Sequence, residues 1–355
     1  MERVVTYRDD VVRTVRAQRI LHDVTLELTY RCNLDCFFCY NDREKQGQPL
    51  SLDQYRVLLE DLARMQTLFL MFTGGEPMIH PHFFEIGRMA KELGFVVRVR
   101  TNGHTLYPRN VERLLAEVDP YVVEVSLHGS TAEVHDRQTR VPGSFERLVR
   151  NLRQARAAGL RCSMVTTPTA WNEHQIDAMF ALADDLGIPL RFQGPVAPRD
   201  NGDTDPLVIQ PLRETWDRIQ FLVTERKARG VTGPGQGQAP EISVEREAQT
   251  PATCSVGVAG VNIDPYGNVQ ACMHLQESAG SLHEQSIEAI WNHAPLFTRA
   301  RARAIDAAQR LEAQTQLEGE RPRQLNAPLF CLAVEENAAK GCGTSDAGCG
   351  SCGRP

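Results

Sequence analysis

The sequence lacks the features that mark nucleic-acid-binding, membrane-spanning and secreted proteins. It contains no lysine- or arginine-rich block, and its formal net charge is -6, which disfavours a nucleic-acid-binding surface. No run approaches the ~18 apolar residues that a membrane span requires. The N-terminus is polar and charged, without the apolar segment of a secretory signal peptide. We therefore expect a cytoplasmic protein with neither a nucleic-acid partner nor a membrane partner.

Cysteine, by contrast, is abundant, with 10 among 355 residues. In a reducing compartment, clustered thiols are more typical of metal ligands or catalysts than of disulfides. Cys162 stands alone in a strand-like run, where we expect a small core residue. The others form one group near the N-terminus and one in the C-terminal third. These nine candidate metal ligands are Cys32, Cys36, Cys39, Cys254, Cys272, Cys331, Cys342, Cys349 and Cys352.

Short apolar runs alternate with amphipathic helical patterns from residue 23 to about residue 193. Ser51 precedes the first helical pattern as a predicted N-cap, and a glycine follows several of the later ones, as is typical of helix C-termini. Six such strand–helix repeats predict a parallel sheet, either open or curled into a barrel. The predicted strands span 24–30, 68–73, 95–101, 121–126, 160–167 and 188–194. The predicted helices span 51–65, 82–93, 108–117, 144–158 and 172–186.

Unusual residues follow each of the first four predicted strands. The cysteine loop comes after the first strand and "GGEP" after the second, while "TNG" and "SLHGS" follow the third and fourth. In parallel sheets of either form, the ligand site lies at the C-terminal ends of the strands. The four segments are therefore expected at one edge of the sheet.

The repeating pattern ends near residue 194. Residues 195–250 are loop-like with one helical pattern at 211–229, which predicts a bridge between domains. A hairpin that turns at Asp264-Pro265-Tyr266-Gly267 is expected next, followed by a helical stretch. The tail is rich in glycine and cysteine, and we expect it to fold only with a stabilising cross-link such as a metal centre.

Three thiols in one loop are one fewer than a closed four-ligand site requires. A cubane held by three thiolates leaves one iron free to bind another group. The spacing C-x3-C-x2-C, with Phe38 before the third cysteine, resembles the signature of the radical S-adenosylmethionine (radical SAM) superfamily. The "GGEP" segment resembles the family motif whose backbone and glutamate hold the methionine amino group. The resemblance implies a partial (β/α)6 barrel that binds S-adenosylmethionine and a 4Fe–4S cluster with one open iron.

Weaker matches to the same family extend the expected cofactor site. Ser126 and Arg140 match positions that contact the cofactor's carboxylate or ribose in relatives, and Asn102 is expected near the ribose. Two alternative interpretations remain open: Arg140 as a solvated surface charge, and Asn102 as a simple turn former. The resemblance thus implies the cofactor-binding residues Phe38, Gly74, Gly75, Glu76, Pro77, Asn102, Ser126 and Arg140.

The second cysteine group, with the hairpin and "SIEAIWN", resembles the SPASM extension of radical enzymes. This resemblance implies one or two auxiliary iron–sulfur clusters. The family's seven-cysteine pattern is incomplete here, however, and structural zinc in the tail remains an alternative. We therefore expect an α/β protein with a C-terminal cysteine-rich domain. Its segments are an N-terminal extension (1–22), the radical SAM barrel (23–194), a bridge (195–250) and the SPASM-like domain (251–355).

The resemblance implies reductive cleavage of S-adenosylmethionine to methionine and a 5'-deoxyadenosyl radical, which abstracts a hydrogen atom from the substrate. The leading hypothesis is a maturase that modifies a ribosomally made peptide. The modification is a cross-link, a thioether or an epimerisation. A separate leader-binding protein and a reductase or flavodoxin-type electron donor are the expected partners. The alternatives are a protein substrate, as in sulfatase maturation, a small precursor of a porphyrin or sugar, or a non-catalytic metal-binding scaffold.

Overall fold

The computed structural model describes residues 14–15, 17–229 and 257–302. Its central feature is one sheet with the strand order β6-β5-β4-β3-β2-β1-β7-β8-β9. The strands are β1 (Asp23–Thr29), β2 (Phe69–Gly74), β3 (Val96–Thr101), β4 (Val122–Ser126), β5 (Cys162–Thr166), β6 (Leu190–Phe192), β7 (Gly260–Ile263), β8 (Asn268–Cys272) and β9 (Leu275–Ser281). Strands β1 to β6 are parallel and adjacent in chain order, which confirms the six predicted strands.

Helices connect these strands close to the predicted positions. Ser51 caps the first helix in a capping box, accepting from Gln54 N while the Gln54 side chain accepts from Ser51 N. In the described part of the chain, no helix has the length and apolar character of a membrane span. The helices are α1 (Leu52–Arg64), α2 (Phe83–Glu92), α3 (Pro108–Arg113), α4 (Ala132–Thr139), α5 (Ser144–Ala157), α6 (Ile176–Leu186), α7 (Arg213–Ala228) and α8 (Ile287–His293).

Helix α4 and strand β9 were not expected from the sequence. The buried side of α4 includes His135, Gln138 and Thr139, so the helix carries little of the apolar periodicity that predicts helices. Strand β9 has the sequence LQESAGS, which lacks the alternation of apolar and polar residues typical of a half-buried strand. Both elements depend on tertiary contacts that a local pattern does not show.

The six parallel strands curl, so that the segments that follow the first and the last of them, β1 and β6, approach each other. The segment after β6 contacts the cysteine loop after β1, although β1 and β6 lie five positions apart in the sheet. Arg199 Nη2 donates to Phe37 O at 3.0 Å, and Asp200 N donates to Tyr40 O at 2.8 Å. A flat sheet could not bring these loops together, because neighbouring strands are spaced about 4.8 Å apart. The parallel strands therefore form an open, partial barrel.

The two faces of the curled sheet differ in polarity. Residues such as Val97 and Val99 on β3 belong to the apolar core, whereas the alternate positions of the same strand are Arg98 and Arg100. Successive side chains of a strand point to opposite faces, so the helices cover an apolar outer face and the barrel interior is polar. Cys162 packs against the apolar core, as predicted.

The C-terminal hairpin continues the same sheet. Strand β7 pairs in parallel with β1, with Leu26 opposite Ile263, and β7 and β8 are antiparallel. The turn lies at the predicted position, where Gly267 N donates to Asp264 O at 3.0 Å. One hydrogen-bonded sheet therefore includes both the barrel and the hairpin, while the domain boundaries themselves stay a prediction.

We predict that Ile263→Ala lowers the free energy of unfolding by about 2–5 kcal/mol, because it removes a fully buried side chain from the junction of β1 and β7. Ile263 is 1% exposed and Val208 is 77% exposed. The control Val208→Ala should change the free energy of unfolding by no more than about 0.5 kcal/mol. Chemical denaturation measures both. Equal effects of the two substitutions would contradict the packing of this junction.

Candidate active site

The cysteine loop begins directly after β1. Cys32, Cys36 and Cys39 are free thiols and are each half-buried. Leu34 N donates to Cys32 Sγ at 3.4 Å, and Cys39 N donates to Cys36 O at 3.2 Å. The loop is thus folded by its own backbone groups, with its thiols partly shielded from water.

The end of α4 holds this loop in place. Asp35 N donates to Thr139 O at 3.1 Å and Phe37 N donates to Gln138 O at 3.0 Å. Arg140 Nε donates to Asp35 O at 2.7 Å, and its Nη2 lies 2.9 Å from Asp35 Oδ2. Arg140 therefore contacts the cysteine loop itself. Its proposed contact with the cofactor stays a prediction.

The three thiols fit the donor set of a 4Fe–4S cluster. Within the described ranges, no three His, Cys, Asp or Glu side chains converge on a single metal-ion position. Each thiolate of a cubane binds a different iron, so its sulfurs need not converge on one point. Burial raises the pKa of Cys36, and the neighbouring Cys39 and Cys32 raise it further. Thiolates at this site therefore require a positive partner, which iron provides.

The "GGEP" segment lies against the end of β1. Gly75 N donates to Thr29 O at 2.6 Å, and Glu76 N donates to Arg31 O at 2.9 Å. Gly74 has a φ of 123°, in the region that glycine adopts most readily. A Cβ on Gly74 would lie 2.3 Å from Thr29 O. The two glycines therefore allow β2 to approach the residues that lead into Cys32.

Glu76 is fully buried, and its carboxylate already accepts hydrogen bonds from protein donors. Thr101 Oγ1 donates at 2.8 and 2.9 Å, Asn102 N at 2.8 Å and Met78 N at 3.1 Å. Burial raises the pKa of Glu76 to about 7, and these hydrogen bonds limit the rise. Glu76 thus ties the end of β2 to the end of β3, and a contact with the methionine amino group stays a prediction. Pro77 follows it at the start of a short, partly buried 3-10 helix.

Asn102 contacts the cysteine loop from the end of β3. Its Nδ2 donates to Asn33 Oδ1 at 2.7 Å and approaches Cys32 Sγ at 3.6 Å. His104 N donates to Asn102 Oδ1 at 3.0 Å. The structure therefore brings the first three of the four expected strand-end segments into contact. Asn102 is both a turn former and a neighbour of a predicted cluster ligand.

The fourth segment follows β4, whose last residue is Ser126. The ring centroid of Phe38 lies 4.8 Å from that of His128, which joins this segment to the cysteine loop. Burial lowers the pKa of His128 to about 4. Its Nδ1 is buried and has no hydrogen-bond partner within the described ranges. Ser126 and His128 thus occupy the same edge as the other three segments.

A buried acidic group adjoins the cysteine loop where the hairpin meets the barrel. Tyr40 Oη donates to Glu27 Oε1 at 3.1 Å, and Asn262 Nδ2 donates to Glu27 Oε2 at 2.9 Å. Burial raises the pKa of Glu27 to about 7 and that of Asp200 to about 8. Asp264 is buried as well and pairs with Lys45 Nζ at 3.0 Å. This part of the interior therefore contains two carboxyl groups, Glu27 and Asp200, whose pKa values burial raises above their ordinary range.

A second group in the interior consists of arginines around one carboxylate. Glu124 Oε1 lies 2.9 Å from Arg98 Nη2 and 2.6 Å from Arg191 Nη2, and its Oε2 lies 2.6 Å from Arg100 Nη2. Burial alone would raise the pKa of Glu124, but the three guanidinium charges hold it well below its ordinary value. We call Arg98, Arg100, Arg191 and Glu124 the arginine wall.

Sequence reasoning did not single out Glu27, Arg98, Arg100 or Glu124, although a signal was present. The strands of parallel sheets usually read as continuous apolar runs because both faces are covered. Here "VTLELTY" and "YVVEVS" each carry one charged residue within such a run, and "FVVRVRT" carries two. Charged residues at alternate positions of a parallel strand indicate a polar interior that something else must fill.

Comparison with known proteins decides the family. Residues 26–183 match the Radical SAM superfamily. Mycofactocin maturase MftC of Mycobacterium ulcerans is 32% identical over 284 residues, which cover 78% of this chain and 76% of that protein. The chain belongs to the radical SAM superfamily. This radical SAM enzyme accordingly uses a 4Fe–4S cluster and S-adenosylmethionine.

Further matches extend over the C-terminal region. Residues 254–314 match SPASM, an iron–sulfur cluster-binding domain, which indicates auxiliary iron–sulfur chemistry in this radical SAM enzyme. The AdoMet-dependent heme synthase of Methanosarcina barkeri is 28% identical, covering 78% of this chain and 84% of that protein. The fold is similar to that of Streptococcus suis SuiB, with a TM-score of 0.63 at 16% identity, over 82% of this chain and 71% of that chain.

The predicted auxiliary ligands are only partly within the described structure. Cys272 ends β8, is half-buried, and its Sγ accepts from His274 N at 3.5 Å. The remaining auxiliary candidates lie outside the described residues, so their ligand roles and the zinc alternative stay predictions. These candidates are Cys254, Cys331, Cys342, Cys349 and Cys352.

We predict that Gly75→Ala disrupts the cofactor site, because the new Cβ would lie 2.3 Å from Arg31 O and backbone cannot move aside like a side-chain end. The expected cost to stability is about 1–3 kcal/mol, with loss of S-adenosylmethionine binding. Gly194→Ala is the matched control, since nothing lies within 4 Å of its added Cβ. Iron content and equilibrium binding of S-adenosylmethionine measure the effect. Normal binding by both variants would refute it.

We predict that Glu124→Gln lowers the free energy of unfolding by about 3 kcal/mol at pH 7, because three guanidinium groups lose their counter-charge. The folded-state pKa of Glu124 lies below its ordinary 4.5, so its contribution is present above that pH and lost as the pH falls through the folded-state pKa. The difference from wild type should shrink between pH 7 and about pH 3, as measured by denaturant unfolding. Glu225→Gln, at a surface residue of α7 that pairs with Arg229, should have little effect at either pH.

Proposed function

We propose that this radical SAM enzyme is a maturase that modifies a ribosomally made peptide. The observation that carries the proposal is the match to mycofactocin maturase over most of both chains. The polar interior of the partial barrel supports it, since the polar main-chain groups of a peptide segment need such partners. Cross-linking, thioether formation and epimerisation all begin with removal of a hydrogen atom and fit this site equally. Membership of this enzyme superfamily argues against the scaffold alternative.

The chain's own residues hold and orient the reaction partners in this proposal. Cys32, Cys36 and Cys39 would bind the cluster, which when bound supplies the electron that cleaves S-adenosylmethionine. Arg140 and Asn102 fix the loop that carries these cysteines, through the contacts at Asp35 and Asn33 described above. The partial burial of these thiols would limit the access of water to reactive species.

The wider cofactor site follows the four strand ends in this proposal. The main-chain groups of the "GGEP" segment and side chains after β3 and β4 would surround S-adenosylmethionine, with Phe38 beside the cluster. The proposed contacts come from Phe38, Gly74, Gly75, Glu76, Pro77, Asn102, Ser126 and Arg140. Cys254, Cys272 and the tail cysteines would hold auxiliary clusters that accept an electron from the substrate or position it. A flavodoxin-type donor and a separate leader-binding protein complete the proposed system.

A second candidate substrate is a porphyrin precursor. The heme synthase of Methanosarcina barkeri matches this chain over a comparable length, and a porphyrin would also fit an interior with positively charged side chains. The peptide candidate requires a short precursor peptide encoded nearby, whereas the porphyrin candidate requires enzymes of tetrapyrrole synthesis encoded nearby. Product analysis with each substrate separates them.

We predict that the triple variant Cys32→Ala, Cys36→Ala, Cys39→Ala loses about four irons per chain after anaerobic reconstitution but keeps the iron of auxiliary centres. It should form no 5'-deoxyadenosine with dithionite and S-adenosylmethionine. Cys162→Ala, which removes the thiol that packs against the core, should keep the wild-type iron content and product. Iron and sulfide analysis with chromatography of the nucleoside products measures both.

The peptide proposal has its own test. Incubation of the reconstituted wild type with any short precursor peptide encoded beside its gene should change the peptide mass in a manner that depends on S-adenosylmethionine. A mass change in a porphyrin precursor with none in the peptide would favour the second candidate. Wild-type protein that holds zinc and forms no 5'-deoxyadenosine would contradict both candidates.

A further inference from the structure

The arginine wall lies on the inner face of the barrel. Val123 and Val125 of β4 belong to the apolar core, so Glu124 between them faces inward. Arg100 is its register partner on β3. Arg191 reaches the same carboxylate from β6, across the intervening β5. Side chains from three strands therefore meet at one point of the interior.

The wall carries excess positive charge. Three guanidinium charges against one carboxylate leave a net charge of +2. The charge of a second carboxylate, Asp23, also reaches Arg98 and offsets part of this excess. A network that served only to stabilise the fold would be expected to balance its charges. The excess indicates that an anion from outside the described residues completes it.

The guanidinium groups retain donors after Glu124 is satisfied. Each guanidinium has five N–H groups, whereas a carboxylate accepts about four hydrogen bonds in total. Arg100 also donates to the side-chain oxygen of Gln193, so the open edge belongs to Arg191, whose side chain is 45% exposed while that of Glu124 is 1% exposed. Arginine pairs with carboxylates through two parallel hydrogen bonds, which suits the open edge of Arg191 to a second carboxylate.

An unpartnered hydroxyl group lies beside the wall. Ser163 on β5 is the register partner of Glu124 and therefore points to the same face. It is 6% exposed, and its Oγ has no hydrogen-bond partner within the described ranges. A buried polar group without a partner is costly, so this hydroxyl is best explained as a donor to a bound anion.

The wall is close to the cofactor site. Arg100 precedes Asn102 by two residues, about 7 Å along a strand, and Asn102 contacts Cys32. The charge of Arg100 also reaches Tyr40, which directly follows Cys39. A group bound at the wall would therefore lie near the cysteine loop, in the interior where the substrate is expected to bind.

We propose that the arginine wall and Ser163 bind a carboxylate of the substrate and thereby orient the carbon that loses its hydrogen atom. The carboxylate is the free chain end or an acidic side chain of the peptide, and in this form the inference rests on the proposed peptide function. Arg98 and Arg100 anchor to Glu124, and Arg191 with Ser163 completes the contact. Arg191 is the most exposed of the three arginines and determines how tightly the carboxylate is held.

The test measures binding without turnover. Three fluorinated probes, N-trifluoroacetyl-phenylalanine, N-trifluoroacetyl-aspartamide with a free side-chain carboxylate, and neutral N-trifluoroacetyl-phenylalaninamide, are titrated by 19F NMR against reconstituted, oxidised holoenzyme. At least one carboxylate probe should bind about ten-fold more tightly than the neutral probe. Tighter binding of the first probe assigns the chain end, and tighter binding of the second assigns a side chain.

Two variants test whether binding of the carboxylate probes depends on the arginine wall. Arg191→Gln leaves Glu124 paired with two arginines and should weaken binding of the carboxylate about five-fold or more. Arg218→Gln, at a surface arginine that pairs with Asp177, should leave it unchanged. Equal binding of charged and neutral probes, or no effect of Arg191→Gln, would overturn the proposal.

The outcome is independent of the peptide test. An enzyme that binds carboxylates through Arg191 but leaves the peptide unmodified would uphold this site and contradict the peptide function. An enzyme that modifies the peptide but binds all probes equally would support the peptide function and contradict this site. Normal binding by Arg218→Gln confirms that removal of a surface positive charge alone has no effect.

Discussion

The close approach of the β1 and β2 ends is the contact on which the rest of the site depends. Gly75 N and Thr29 O are 2.6 Å apart, and no side chain other than hydrogen fits at Gly74 or Gly75 without a backbone shift. This contact places the cysteine loop directly over the end of β2. It also turns Glu76 towards β3, where its buried carboxylate fixes the third loop. Three successive strand ends are thereby locked together.

The predictable part of this molecule is the part in which local patterns and global fold agree. Strands β1 to β6 are apolar on the outer face, their helices carry regular apolar stripes, and the cysteine and glycine motifs fall at strand ends. Helix α4 could not be found in this way because its buried face is polar and depends on contacts with Asp35 and Phe37. The clamp on the cysteine loop is therefore a tertiary feature, although the loop itself is evident from the sequence.

The inner wall shows a second limit of sequence reasoning. Alternate residues of β3 and β4 signal a polar interior, but the sequence does not show that Arg191, two strands away from Glu124, joins the same carboxylate. That association requires the sheet to curl. The curvature depends in turn on loop contacts such as Arg199 with Phe37, between segments more than 150 residues apart. Charge balance can be judged only after such contacts are known.

The continuous sheet has a mechanical consequence. Because β7 is hydrogen-bonded to β1, Cys272 at the end of β8 belongs to the same framework as the cysteine loop after β1. A hinge between these two regions would break main-chain hydrogen bonds across the sheet. The separation between Cys272 and the cysteine loop is therefore fixed by strand spacing, and the path for an electron between centres at these positions would keep a constant length throughout turnover.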